Sequence, residues 1–246
     1  MNVETKKHSF PRRRVMRSLL KNLINLVFQA TSDFQIFGEE NLPKTGPLLV
    51  VSNHFSFIDP VAVIKVSPWK LDFLGGTRTP NAPAATEWLR HLWGFIPVFR
   101  GSVSRETFSS SEAILARKGV LGIFPEGGNW ANVLRPPRPG VAFLAVRTGA
   151  PILPIGLDGF ESYFPQLRKG KRPLVTARIG KTFGPYQVDV RGRGERGKLD
   201  EIGNEMMQHI AMLIPPEKRG FYSTDPSIRE AARGTEIYPW ANLQEI

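Results

Sequence analysis

His54 and Asp59, five positions apart, have the types and spacing of a catalytic base and its orienting carboxylate. The surrounding stretch, residues 48–60, reads Leu-Leu-Val-Val-Ser-Asn-His-Phe-Ser-Phe-Ile-Asp-Pro, so a short apolar run delivers His54 to the end of an expected strand. Within one regular helix a five-residue separation sets two side chains about 140° apart, so the pair can meet only across a turn. There Asp59 would accept the Nδ1 hydrogen of His54 and fix its tautomer, leaving Nε2 to take a proton from a hydroxyl. The same residues also allow a structural reading, in which His54 is a buried histidine and Asp59 is only the N-cap of a helix that starts at Pro60. The pair by itself leaves both readings open.

Such a site needs strands that end beside it. Hydrophobic periodicity and turn signals predict strands over residues 33–37, 48–52, 71–74, 95–99, 119–124, 152–156 and 175–179. Helices are expected over 15–30, 59–66, 84–93, 104–118, 140–148 and 199–214, with Gly119 and Pro215-Pro216 as stop signals. The alternation predicts an α/β fold: a single domain with a mixed β-sheet flanked by helices, preceded by an amphipathic membrane-surface helix. Chemistry is then expected in loops that follow strands. The expected division is a basic membrane-association segment over 1–32, a catalytic domain over 33–222 and a tail over 223–246, assigned only packing through Tyr238 and Trp240. Between residues 186 and 198, Gly192, Gly194 and Gly197 match a dinucleotide-binding fingerprint in form. Charged residues between the glycines make a poor helix start there, and a basic loop is expected instead.

A formal charge of +11 and a pI near 10.2 point to an anionic partner: nucleic acid, an anionic membrane surface or a phosphorylated substrate. The chain has no cysteine, which excludes disulfides, thiolate nucleophiles and thiolate metal sites, and no metal site is expected. Apolar runs are far shorter than the roughly 18 residues of a membrane span. Lys21, Asn22 and Asn25 interrupt what would otherwise resemble a signal peptide, so a cytoplasmic protein is expected. In the helix over 15–30, Arg12, Arg13, Arg14, Arg17 and Lys21 form a basic head, and each could add on the order of 1 kcal/mol of attraction to an anionic lipid surface. The helix can lie in a membrane interface or pack on the core. No array of basic residues interleaved with stacking aromatics supports nucleic-acid binding.

Four segments share a resemblance. Residues 53–59, Asn-His-Phe-Ser-Phe-Ile-Asp, resemble the first motif of the glycerolipid acyltransferases, the family that includes the 1-acyl-glycerol-3-phosphate acyltransferases. Gly94-Phe95-Ile96-Pro97-Val98-Phe99-Arg100 is similar to their second motif, Phe124-Pro125-Glu126-Gly127 to their third, and Ile152-Leu153-Pro154-Ile155 to their fourth. The resemblance implies transfer of an acyl group from acyl-CoA or acyl carrier protein to the sn-2 hydroxyl of 1-acyl-glycerol 3-phosphate, a lysophospholipid acceptor, giving phosphatidic acid. His54 would deprotonate that hydroxyl, and no acyl-enzyme or bound cofactor is implied. This agrees with the lack of cysteine and of a Gly-x-Ser-x-Gly elbow.

By carry-over Arg100, Glu126 and Gly127 would bind the glycerol phosphate, and a guanidinium fork at Arg100 beside Gly101 suits phosphate oxygens. The amides of Gly127 and Gly128 could serve as oxyanion donors. The expected place of work is the cytoplasmic face of a membrane, with peripheral or monotopic attachment. Many members carry a small polar residue and then arginine after Phe-Pro-Glu-Gly, whereas Gly128, Asn129 and Trp130 follow here. Arg135 or Arg138 could replace that arginine, or the acceptor could be another lysophospholipid or an aminolipid. A non-catalytic basic membrane-binding protein would explain the charge but not the ordered motifs. A hydrolase using the same pair on water is a further alternative.

Overall fold

The computed structural model describes residues 13–76, 87–98, 105–187, 195–237 and 239. Its seven strands are β1 (Asp33–Phe37), β2 (Leu48–Ser52), β3 (Asp72–Gly76), β4 (Ile96–Val98), β5 (Val120–Ile123), β6 (Ile152–Asp158) and β7 (Leu174–Ile179). They form one sheet in the order β1-β7-β6-β2-β5-β3-β4. Strands β6, β2, β5, β3 and β4 run parallel, β7 runs antiparallel to β6, and β1 pairs in parallel with β7. The sheet is therefore mixed, as expected. Its parallel core brings the C-terminal ends of β2, β5 and β4 to one edge.

Every residue of β2 is buried, because helices cover both faces of the sheet. The period-2 alternation of a strand sends Leu48 and Val50 into one core and Leu49 and Val51 into the other. The first core is closed by α1 (Arg14–Thr31), α2 (Asp59–Val66), α3 (Glu87–Trp93) and α6 (Tyr163–Arg168). The second is closed by α4 (Arg105–Ala116), α5 (Pro139–Thr148) and α7 (Glu195–Ala211).

Several expectations need correction. α6 was not anticipated, since a six-residue helix is too short to print a period. Gly75 and Gly76, expected in a loop, extend β3 because they pair with Pro97 and Val98. The end of the expected basic loop, from Glu195 onward, belongs to α7, while residues 188–194 lie outside the described set. The tail carries α8 (Pro226–Ala232), whose N-cap Asp225 accepts the Ser227 amide at 2.8 Å. Tyr238 and Trp240 lie outside the described residues.

The largest correction concerns α1. Arg17, expected in a membrane-facing basic head, is fully buried. Its Nη2 donates to Asp72 Oδ1 at 2.6 Å and its Nε to the Trp93 carbonyl at 2.9 Å. Arg13 donates to the Leu92 carbonyl and Lys21 to that of Ser67. Carbonyls at the C-terminal ends of α2 and α3 lack helical partners, and these cations supply donors where the helix dipole favours them. Arg12 lies outside the described residues. One arc of α1, Leu20, Ile24 and Phe28, packs in the core, while Val15, Leu19, Leu23 and Leu26 on another arc are exposed. Among the described residues no helix is long and apolar enough to cross a membrane.

Candidate active site

β2 ends at Ser52, and the chain then turns tightly into α2. Asn53, fully buried, holds the strand end. Its side chain donates to the Leu157 carbonyl at 2.9 Å and accepts the Leu157 amide at 2.7 Å, which extends the β2–β6 ladder past the last strand residue. The next residue, His54, is thereby fixed at the sheet edge.

His54 Nδ1 lies 3.0 Å from Asp59 Oδ2. The same oxygen accepts the amides of Phe55 and Ser56, each at 2.7 Å. Asp59 is therefore not the N-cap expected from the sequence. It is the first residue of α2, Ile58 holds the cap position, and the carboxylate reaches back to the turn that carries His54. Burial pushes the Asp59 carboxyl up, against the hydrogen bond and charge of His54 and the two amides that hold it down. A carboxylate on Nδ1 requires the proton there, and Nε2 is left as the basic nitrogen. Among the described residues Nε2 has no hydrogen-bond partner, and the side chain is 16% exposed against 1% for Asp59. Phe124 stacks on the imidazole with ring centroids 4.2 Å apart and the planes at 25°, which restrains its rotation.

The second carboxylate comes from the turn after β5. Glu126 is 1% exposed. Its Oε1 accepts the His54 amide at 2.8 Å, and its Oε2 accepts Nε of Arg135 at 3.0 Å. Glu126, expected at the acceptor site, has both oxygens engaged inside the protein, where they join the β5 turn to the β2 turn. Burial raises its pKa to about 7, against the downward pull of the Arg135 charge and then of the His54 amide.

The remaining expected site residues divide. Gly127 takes φ 77°, and its amide donates to the Phe124 carbonyl at 3.0 Å, so it closes the turn and is spent as an oxyanion donor. Gly128 is buried, and its carbonyl accepts Arg135 Nη2. Arg135 is buried too, which makes it an internal counter-ion and not an anion ligand. Arg138 is exposed, and its Cγ passes 3.1 Å from where a Cβ on Gly127 would stand. Arg100 lies outside the described residues, two positions in sequence after the last residue of β4. Sequence reasoning missed Asn53 as a holding residue. Its place directly before His54, where a strand must end, was the available signal.

An imidazole bonded through one nitrogen to a buried carboxylate at the end of a parallel strand, with its second nitrogen unpartnered among the described residues, has the arrangement that general-base chemistry requires. The family profile described as Acyltransferase matches residues 33–158, just over half of the chain, and the chain belongs to that family. It is 30% identical over 132 residues to the 1-acyl-sn-glycerol-3-phosphate acyltransferase of Borreliella burgdorferi, covering 52% of each chain. It is 30% identical over 175 residues to the chloroplastic 1-acyl-sn-glycerol-3-phosphate acyltransferase BAT2 of Brassica napus, covering 69% of this chain and 50% of that one. The chain thus spans about half the length of the curated relatives it matches. The crystal structure of the 1-acyl-sn-glycerophosphate acyltransferase PlsC from Thermotoga maritima has the same fold, with a TM-score of 0.55, 22% identity and 78% of each chain covered. The resemblance read from the motifs is borne out for family and fold.

The state of Glu126 can be checked by thermal melts. Its pKa in the folded protein, about 7, lies above its ordinary 4.5, so the proton it takes up favours the folded state. That contribution is full below about pH 4.5 and is lost as pH rises through about 7. Relative to Glu126→Gln, the wild type is expected to lose on the order of 3 kcal/mol of stability across this window. A difference that stays constant with pH would refute the assignment.

Proposed function

We propose that the protein transfers a fatty acyl group from acyl-CoA or acyl carrier protein to the sn-2 hydroxyl of 1-acyl-glycerol 3-phosphate, giving phosphatidic acid. The observation that carries this reading is the 3.0 Å contact between His54 Nδ1 and Asp59 Oδ2, with Nε2 left as base. Family membership supports the acyl-transfer class. Similarity to relatives named 1-acyl-sn-glycerol-3-phosphate acyltransferase supports the choice of acceptor.

In this mechanism Nε2 removes the hydroxyl proton as the oxygen attacks the thioester carbonyl. A C–O bond forms and a tetrahedral oxyanion collapses. The C–S bond then breaks, and the imidazolium returns its proton to the leaving thiolate. Asp59 steadies the imidazolium while it exists. Atoms and charges balance without a protein nucleophile or a further co-reactant. Of the two turn amides first considered for the oxyanion, Gly128 is the remaining candidate.

The acceptor phosphate is assigned to Arg138, with Arg100 as its partner. Arg135 is occupied by Glu126, whereas Arg138 is exposed beside the Gly127 turn that is hinged to His54 through Glu126. The exposed apolar arc of α1, with Leu19, Leu23 and Leu26, supports docking on an anionic membrane surface where the acceptor resides. The cytoplasmic face suits a thioester donor carried by CoA or acyl carrier protein.

His54→Ala is expected to abolish transfer with the fold intact, as read by mass-spectrometric product analysis with and without acceptor. Retained transfer would refute the base assignment, and free fatty acid as the main wild-type product would make the enzyme a hydrolase. Arg138→Ala should raise the KM for a phosphorylated acceptor roughly tenfold, as expected for a charged hydrogen bond of about 1.4 kcal/mol or more. An unchanged KM would remove Arg138 from the anion site. Triple substitution of Leu19, Leu23 and Leu26 by serine should release the protein from anionic vesicles in a sedimentation assay, and undiminished binding would move the docking face elsewhere.

A further inference from the structure

Two features take no part in the mechanism above: Asn129-Trp130, within the departure from the family pattern, and the C-terminal segment beyond the family match. They meet in the structure. The Trp130 ring covers the guanidinium of Arg135, whose Cζ lies 3.9 Å from the ring centroid. The Trp130 indole N–H donates to the Thr235 carbonyl, just past α8, at 2.7 Å. The same segment grips the loop again at Leu134. The Leu134 amide donates to the Lys218 carbonyl at 2.9 Å, and the Phe221 amide donates to the Leu134 carbonyl at 3.2 Å. Gly220, at φ 48°, lies so close that an added Cβ would stand 2.2 Å from the Leu134 oxygen. Lys218 itself is anchored on β6 through Asp158, 2.5 Å away.

We infer that Trp130 is a positioning residue for catalysis: by stacking on Arg135 it holds that guanidinium against Glu126, and Glu126 in turn holds the amide of His54. The C-terminal segment sets this chain of contacts in place through Trp130 and Leu134. Arg135 is 1% exposed, and its Nη1 has no hydrogen-bond partner among the described residues, so its burial is only partly offset by Glu126 and the Gly128 carbonyl. An aromatic face stabilises a desolvated guanidinium more than an exposed one, and Trp130 supplies that face. Without the ring, Arg135 gains by turning toward water, and Glu126 loses its counter-ion.

Several groups bear on Glu126. Arg135 supplies the opposing charge and the His54 amide a hydrogen bond. Arg138 lies near enough to repel Arg135. Tyr222, from the C-terminal segment, is a half-buried phenol whose pKa is pushed up by desolvation and by the Glu126 charge. A loosened Arg135 therefore lets Glu126 take up a proton at higher pH. The acid limb of the turnover profile should then move upward.

The inference rests on the acyl-transfer reading and is tested on the full chain with Trp130→Leu and Trp130→Phe, measuring kcat, donor KM and the pH profile. Trp130→Leu is expected to lower kcat about tenfold at neutral pH, corresponding to about 1.4 kcal/mol, with donor KM unchanged and the deficit shrinking as pH rises. Trp130→Phe keeps a ring over Arg135 and should stay within about threefold of wild type, since the stacking energy is largely retained. A folded Trp130→Leu with wild-type kcat and pH profile overturns the inference, as does a deficit that is the same at every pH. Should Trp130→Leu fail to fold, Arg135→Lys decides the matter: it keeps the charge without the planar face, and again a deficit independent of pH overturns the inference. A wild type inactive on every acceptor would defeat the acyl-transfer reading itself, whereas an active wild type with indifferent variants defeats this inference alone.

Discussion

The Oδ2 atom of Asp59 accepts three donors at once: the imidazole of His54 and the amides of Phe55 and Ser56. A buried carboxylate is costly unless its oxygens are satisfied, and these contacts satisfy it with the turn that carries the base. The carboxylate thus shapes the loop and orients the imidazole through one oxygen. Asn53 behind the turn and Phe124 beside the ring reduce what freedom is left. The sheet contributes position, since β2 is buried on both faces and delivers this turn to the edge where β5 also ends.

Glu126 plays the same structural part for the neighbouring loop. Its two oxygens bind the His54 amide and Arg135, so the turns after β2 and β5 are joined by a buried ion pair. Such a pair is a weak source of net stability but a strong source of geometry, because breaking one side leaves an uncompensated charge inside the protein. Trp130 and the C-terminal segment then close over Arg135. The site is organised outward from His54 in layers of hydrogen-bonded charge. Only Arg138, of the basic residues in the loop after the Phe-Pro-Glu-Gly turn, is left exposed.

The elements that position the site were legible because strands buried on both faces leave continuous apolar runs, and because a five-residue separation forces a turn. That His54 and Asp59 could meet only across a turn was legible in their spacing, while their pairing as base and orienter rested on the resemblance. The use of Asp59 as a cap did not hold, since proline after an acidic residue marks a helix start but does not reveal which amides the carboxylate reaches. Glu126 was placed at the acceptor by the resemblance alone; its engagement with Arg135, nine positions downstream, leaves no local period in the sequence. The burial of Arg17 was not legible for the same reason: Asp72, which holds it, is 55 positions away. The short helices α6 and α8 print too few turns for a pattern to emerge.

The central claim is that Asp59 keeps the proton on Nδ1 of His54 and leaves Nε2 as the base. Nitrogen-15 NMR of the protein labelled at histidine, with His54→Gln to assign the signals, observes this directly. The account predicts that the neutral form of His54 carries its proton on Nδ1 and leaves Nε2 unprotonated. A neutral imidazole carrying its proton on Nε2 would contradict it.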